Sequence, residues 1–268
     1  MKKRVVILAG NHASHNPRAF KEAEALSAAG MDVEWLGGWY DEDLARRDKE
    51  LAANRRWRFT PVVDWTREDA ASRFSKLLQR ARRWAAGKAF DKFGWESGHQ
   101  LSYSARALLI AARRMTADLY IAHSEPGMWA ARILRQEGKR VGVDMEDWFS
   151  DDLLPEARKH RPVRLLSELE RDLLRYGSYR ICTSVAMSAA LAAEYQCSPP
   201  EVVYNAFPWA DRASLDSSSK DRLNRQLPSI HWYSQTIGPG RGLEDLLEAL
   251  ARSEEHTSEL QSPCNLVC

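Results

Sequence analysis

Short apolar runs and longer segments with apolar positions three to four apart alternate along this chain. Residues 5–9 (VVILA) form the first run, which stops at Gly10. An unbroken run rich in β-branched residues suits a strand buried on both faces of a parallel sheet. Asn16-Pro17 then opens a helical stretch, with Ala19, Phe20, Ala23, Leu26 and Ala29 as its apolar stripe and Gly30 closing it. Residues 31–36 read as the next strand. The pattern blurs over 39–116, although 72–89 and 103–115 look helical. It returns with a strand at 118–122 (DLYIA), a helix at 128–136 before Gly138, and a strand at 140–144 (RVGVD). A helix at 163–176 follows, carrying Leu165, Leu166, Leu169, Leu173 and Leu174, then a strand at 179–183 (YRICT). Ser184 suits the N-cap of a helix at 185–195, and 201–204 (EVVY) is a further strand. The alternation predicts an α/β fold, a doubly wound parallel sheet with helices on both faces, over residues 1–210.

Residues 211–229 are polar, include Ser217, Ser218 and Ser219, and read as a linker. A strand at 231–234 (HWYS), a glycine-rich loop at 237–242 and a helix at 243–250 follow. One such unit cannot bury its own apolar face, so 230–251 is expected to begin a second α/β domain. The stretch RSEEHTSELQS from Arg252 closely resembles the in-frame translation of a common sequencing-library adapter. The tail 252–268 is therefore expected to be artefactual and the second domain truncated. Glu254, Glu255, His256 and Glu259 are accordingly not read as a site.

The 268 residues are 44% hydrophobic and 28% charged with a net charge of +2, which excludes a largely disordered chain. No apolar run approaches the ~20 residues of a membrane span, and the run after the basic N-terminus is too short for a secretory leader. Cys182, Cys197, Cys264 and Cys268 form neither a CxxC pair nor a disulfide framework, which fits a reducing cytoplasm. The charge is unevenly spread. Residues 46–114 hold 17 Lys/Arg against 7 Asp/Glu, with Trp57, Trp65, Trp84 and Trp95 interleaved. Solvated helices with structural tryptophans would explain this. So would a basic, aromatic surface touching anionic lipid or a polyanion, a peripheral contact on the inner face of the membrane. No nucleic-acid-binding module accompanies it, so no nucleic-acid partner is expected.

Candidate chemistry clusters where the strands end. The loop after the first strand lacks GxGxxG, which argues against a nicotinamide-dinucleotide site. It offers His12, Ser14, His15, Asn16 and Arg18, which can hydrogen-bond hydroxyls or a phosphate. His123, with Glu125 behind it, follows DLYIA and can donate to a hydroxyl or accept a proton near neutral pH. Asp144, Glu146, Asp147, Asp151 and Asp152 lie at the next strand end. Glu146 and Asp147 are the carboxylates placed to bind substrate hydroxyls or act as a base, and the spacing demands no metal.

Taken in order, GNHASHNPRAFKEAEAL, AHSEPG, VDMEDWFSDD, VVYNAFP and WYSQTIGPGRGLEDLLEAL resemble the glycosyltransferase family 4 group of GT-B enzymes. The resemblance implies two Rossmann-like domains, the first holding a sugar, lipid or cell-envelope acceptor and the second a nucleotide-sugar donor. It implies retaining, metal-independent transfer without a cofactor, the donor diphosphate being held by basic side chains and helix N-termini. His123 then corresponds to a cleft histidine near the transferred sugar. Asn205 corresponds to the asparagine at the domain crossing, and Arg241 to a basic residue on the donor diphosphate. Gln235, or Thr236, stands where many members carry a second basic residue. A chain lacking most of its donor half is expected to show no transfer. A nucleotide-sugar epimerase of the same fold and a non-enzymatic binding domain are the alternatives.

Overall fold

The computed structural model describes residues 2–153, 155–207, 209–212 and 242–252. Seven parallel strands form one sheet in the order β3-β2-β1-β4-β5-β6-β7. They are β1 (Arg4–Leu8), β2 (Asp32–Trp39), β3 (Arg58–Asp64), β4 (Leu119–Ala122), β5 (Val141–Met145), β6 (Tyr179–Cys182) and β7 (Glu201–Val202). The helices that connect them are α1 (Pro17–Ala28), α2 (Glu42–Ala52), α3 (Ala70–Phe93), α4 (Gly98–Leu101), α5 (Ala105–Arg113), α6 (Ser124–Gln136), α7 (Pro155–Arg158), α8 (Val163–Tyr176) and α9 (Val185–Tyr195). The order reverses between β1 and β4, which is where an open α/β sheet forms its binding crevice. The chain divides into a compact unit of residues 1–206 and a second of residues 207–268. Within the second, α10 (Leu243–Arg252) matches the helix expected there, whereas the strand at 231–234 lies outside the described residues.

The pleat divides the core into two layers. Val6, Leu8, Tyr120, Ala122, Val143 and Met145 pack with α5, α6 and α8. Ile7, Ala9, Val33 and Trp35 face the other way, onto Ala19 and Ala23 of α1 and onto Trp57. Parallel register aligns Ile7 with Trp35 on one side and Ile121 on the other, and Asp144 with Ile181.

Local chemistry accounts for the helix ends. The Asn16 side chain accepts from the Ala19 amide and Ser184 from the Met187 amide, so both are N-caps. Gly30 (φ +89°) follows α1 in the left-handed region, and its amide reaches the Ser27 carbonyl. Two elements of the blurred stretch escape the periodicity. α2 buries only Ala45 and Asp48, so it shows almost no apolar stripe. β3 lies on the sheet edge, where Pro61 is tolerated and side chains are only partly covered.

Among the described residues no helix is long and apolar enough to cross a membrane.

Candidate functional site

The loops after β1 and β4 meet at the switch point. Gly10 (φ +79°) turns the chain there, and a Cβ on it would come within 2.6 Å of Ser104 Oγ. Gly127, in the first turn of α6, lies so close to β1 that a Cβ would collide with the Leu8 carbonyl oxygen. These two glycines allow the N-terminus of α6 to press against the end of β1.

His123 stands between β4 and α6, as the N-cap of α6, and is wholly buried. Its Nε2 lies 2.5 Å from Glu22 Oε2 and its Nδ1 2.5 Å from Glu146 Oε1. Burial works against an imidazolium, but Glu22 and Glu146 override it and raise the pKa well above the ordinary histidine value. His123 is therefore a cation clamped between two carboxylates. Tyr179 Oη donates to the other oxygen of Glu22 at 2.7 Å.

Asp144 on β5 sits beside this cluster, 1% exposed. Burial pushes its carboxyl up to about 6, against the pull of His123 and Arg18. Arg18 Nε donates to Asp144 Oδ2 at 2.6 Å, and its other nitrogens reach the carbonyls of Val203 (2.7 Å) and Cys182 (3.4 Å). Asp144 Oδ1 has no hydrogen-bond partner among the described residues. Glu22, His123 and Asp144 offer donor atoms within 4.8 Å of one another, a spacing a metal ion could use. The Arg18 guanidinium already supplies positive charge at Asp144.

The β1 loop has a second buried anchor. His12 Nδ1 donates to Asp48 Oδ2 at 2.8 Å, while its Nε2 accepts from the Tyr40 amide at 2.9 Å. An Nε2 that accepts from a backbone amide carries no proton, which fixes the neutral Nδ1-H tautomer. The Ser14 amide donates to the same Asp48 at 2.7 Å.

A polar cavity of about 300 Å³ lies beside the first turn of α6. Arg83, Phe90, Gln100, Glu125, His160 and Arg161 line it, and Glu125 is ion-paired with Arg161. A second cavity, of about 260 Å³, lies between α1 and the ends of β5 to β7.

The sequence-selected residues thus separate. His12, Asn16 and Arg18 are buried in the scaffold, as is His123, whereas Glu146 is only partly covered. His15 and Asp147 are exposed, Ser14 is partly buried and Glu125 faces the polar cavity. Asn205 is exposed and accepts from Lys21 Nζ at 2.8 Å. Arg241, Gln235 and Thr236 lie outside the described residues. Sequence reasoning missed Glu22, Asp48, Arg83 and Arg161. One local signal existed for Glu22: it lies four residues after Arg18, hence on the same helix face.

The sheet and its crevice are those of a Rossmann-like domain of the GT-B glycosyltransferase fold. LpCGTa in complex with UDP is similar at a TM-score of 0.51 and 15% identity, over 93% of this chain and 64% of its own. UGT2 of Phytolacca americana, solved with UDP-2-fluoro-glucose and pterostilbene, is similar at 0.48 and 12% identity, over 81% of this chain and 57% of its own. The chain therefore spans less than two thirds of either protein. No family model matches the sequence, and no curated protein matches it.

Proposed function

We propose that residues 1–206 form the acceptor-side domain of a family 4-like GT-B glycosyltransferase. In this reading the whole enzyme moves a sugar from a nucleotide-sugar donor to a sugar, lipid or cell-envelope acceptor, with retention and without a metal. The observation that carries the reading is the polar cavity at the first turn of α6, next to the β1/β4 switch point. Its guanidinium, carboxylate and amide groups (Arg83, Arg161, Glu125, Gln100) suit the hydroxyls of a saccharide, and Phe90 offers a ring face.

Positioning and contact then fall to different residues. Glu125, Glu146 and Asp147 address acceptor hydroxyls, with Ser14 and His15 at the rim of the β1 loop. His123 Nδ1 holds Glu146 in place, so that carboxylate can accept a hydroxyl proton. Arg18, Asn16 and His12 hold the loop and α1 in place. Asn205 and Arg241 are assigned to the donor side, and residues 230–251 to the start of the donor domain after a linker at 211–229. The tail 252–268 is assigned no role.

Saturation-transfer NMR of the chain against a panel of glycosides, with NAD and NADP as comparators, tests the acceptor assignment. Saturable glycoside binding lost in Arg161→Ala supports it. Binding of NAD or NADP without any glycoside refutes it.

A further inference from the structure

The 24-residue helix α3 is turned inside out. It extends roughly 36 Å and buries no residue. Its inward face over residues 76–83 is polar. Gln79 accepts from Trp65 Nε1 at 2.9 Å, Lys76 Nζ lies 5.1 Å from the Trp65 ring centre, and the Arg83 guanidinium lies 5.1 Å from that of Tyr103. At about 100° per residue, Phe74, Leu77, Leu78, Ala81, Trp84 and Ala85 occupy an arc of roughly 120° on the opposite side. That side faces solvent: Phe74 is 67% exposed, Leu77 64% and Trp84 68%. Phe93 and Trp95, with ring centres 5.1 Å apart, extend the exposed apolar surface past the helix end.

The fringe of this stripe is cationic. α3 carries seven Lys/Arg against the single acid Asp91. Arg73 and Arg82 flank the stripe, and Lys88 and Lys92 continue it toward the C-terminal end. Long basic side chains beside an apolar, aromatic face can snorkel to headgroups while the face enters the acyl boundary. A polyanion such as RNA would pair with the charge and leave Leu77 and Leu78 uncovered. A bilayer with anionic headgroups satisfies both.

We infer that α3 is an in-plane membrane-docking helix, which binds anionic lipid surfaces through the Phe74–Trp84 stripe and its basic fringe. This goes beyond the transferase reading and does not depend on it, because docking is measured without substrate.

The experiment is co-sedimentation of the full chain with vesicles of phosphatidylcholine alone and of equimolar phosphatidylcholine and phosphatidylglycerol. The chain is expected to pellet with the anionic vesicles, less so at high salt, and to remain in solution with the neutral ones. Phe74→Glu combined with Trp84→Glu alters only exposed positions and is expected to weaken partitioning by at least about tenfold, with an unchanged circular dichroism spectrum. Tyr176→Glu, on α8 and 63% exposed, is expected to bind like the parent.

A parent that stays in solution with anionic vesicles at low salt overturns the inference. So does an α3 double variant that still pellets like the parent, since binding would then need charge alone, as a polyanion site does. A parent that sediments as a dimer, becomes monomeric on the double substitution and ignores vesicles overturns it in favour of a second copy on the stripe.

Discussion

Replacing Arg18 with Met should destabilise the first unit in a pH-dependent way. Arg18 and Asp144 form a buried pair, their side chains 8% and 1% exposed. Removing one member of such a pair and stranding the other charge costs about 3–5 kcal/mol. The Asp144 carboxyl titrates at about 6, above its unfolded value of 3.8. Its native form therefore holds the proton more tightly, and its contribution to stability falls as pH rises from the unfolded value through about 6. Without Arg18 the native pKa rises further, so the fall continues to higher pH and the two stability curves separate above about pH 6. At pH 5 about nine-tenths of the parent's Asp144 is already neutral. Arg18→Met then loses chiefly its hydrogen bonds to the Val203 and Cys182 carbonyls, about 1–2 kcal/mol. Urea unfolding followed by far-ultraviolet circular dichroism at pH 5 and 7.5 measures the difference, and contributions common to both proteins cancel. The cost at pH 7.5 should exceed that at pH 5 by about 2 kcal/mol. Adding Asp144→Asn should recover part of the loss at pH 7.5 only. A cost that is equal at the two pH values, or larger at pH 5, would refute a buried pair poised on the Asp144 titration.

Glu22→Gln removes one of the two carboxylates that hold the His123 imidazolium, so an NMR pH titration of that ring should give a lower pKa than in the parent. An unchanged value would mean that Glu146 alone sets the charge. Asp48→Ala strands the His12 Nδ1-H and the Ser14 amide, and should cost about 2–5 kcal/mol in chemical denaturation. Gly127→Ala forces α6 away from the Leu8 carbonyl and should lower the melting temperature through overpacking worth at least about 1–3 kcal/mol. A variant that melts like the parent would show that the close approach is not rigid.

The legible parts of the fold were those in which local chemistry and burial agree. Leu166, Leu169 and Leu173 mark the buried face of α8, and the helix spans Val163–Tyr176, the range read from its spacing. Ser184 begins α9 because its hydroxyl caps the Met187 amide, a contact three residues long. α2 left no such trace, since Asp48 is buried for a partner 36 residues away rather than for its own helix. The strand-end loops could be placed from sequence, but the pairings inside them could not. His123 meets Glu22 across 101 residues, and no spacing rule encodes that contact. The periodicity of α3 was visible as well. Its apolar stripe would ordinarily turn inward, yet Trp65 and Tyr103 take up its basic side chains and the stripe remains outside.

The proposed transferase reading places a saccharide acceptor in the cavity beside the first turn of α6. It is tested by a calorimetric titration of the tightest-binding glycoside into the parent, Arg161→Ala and Lys21→Ala, the last lining the cavity under α1 instead. The dissociation constant is expected to be at least about tenfold weaker for Arg161→Ala and unchanged for Lys21→Ala. Equal affinity in the parent and Arg161→Ala, or a loss confined to Lys21→Ala, would contradict it.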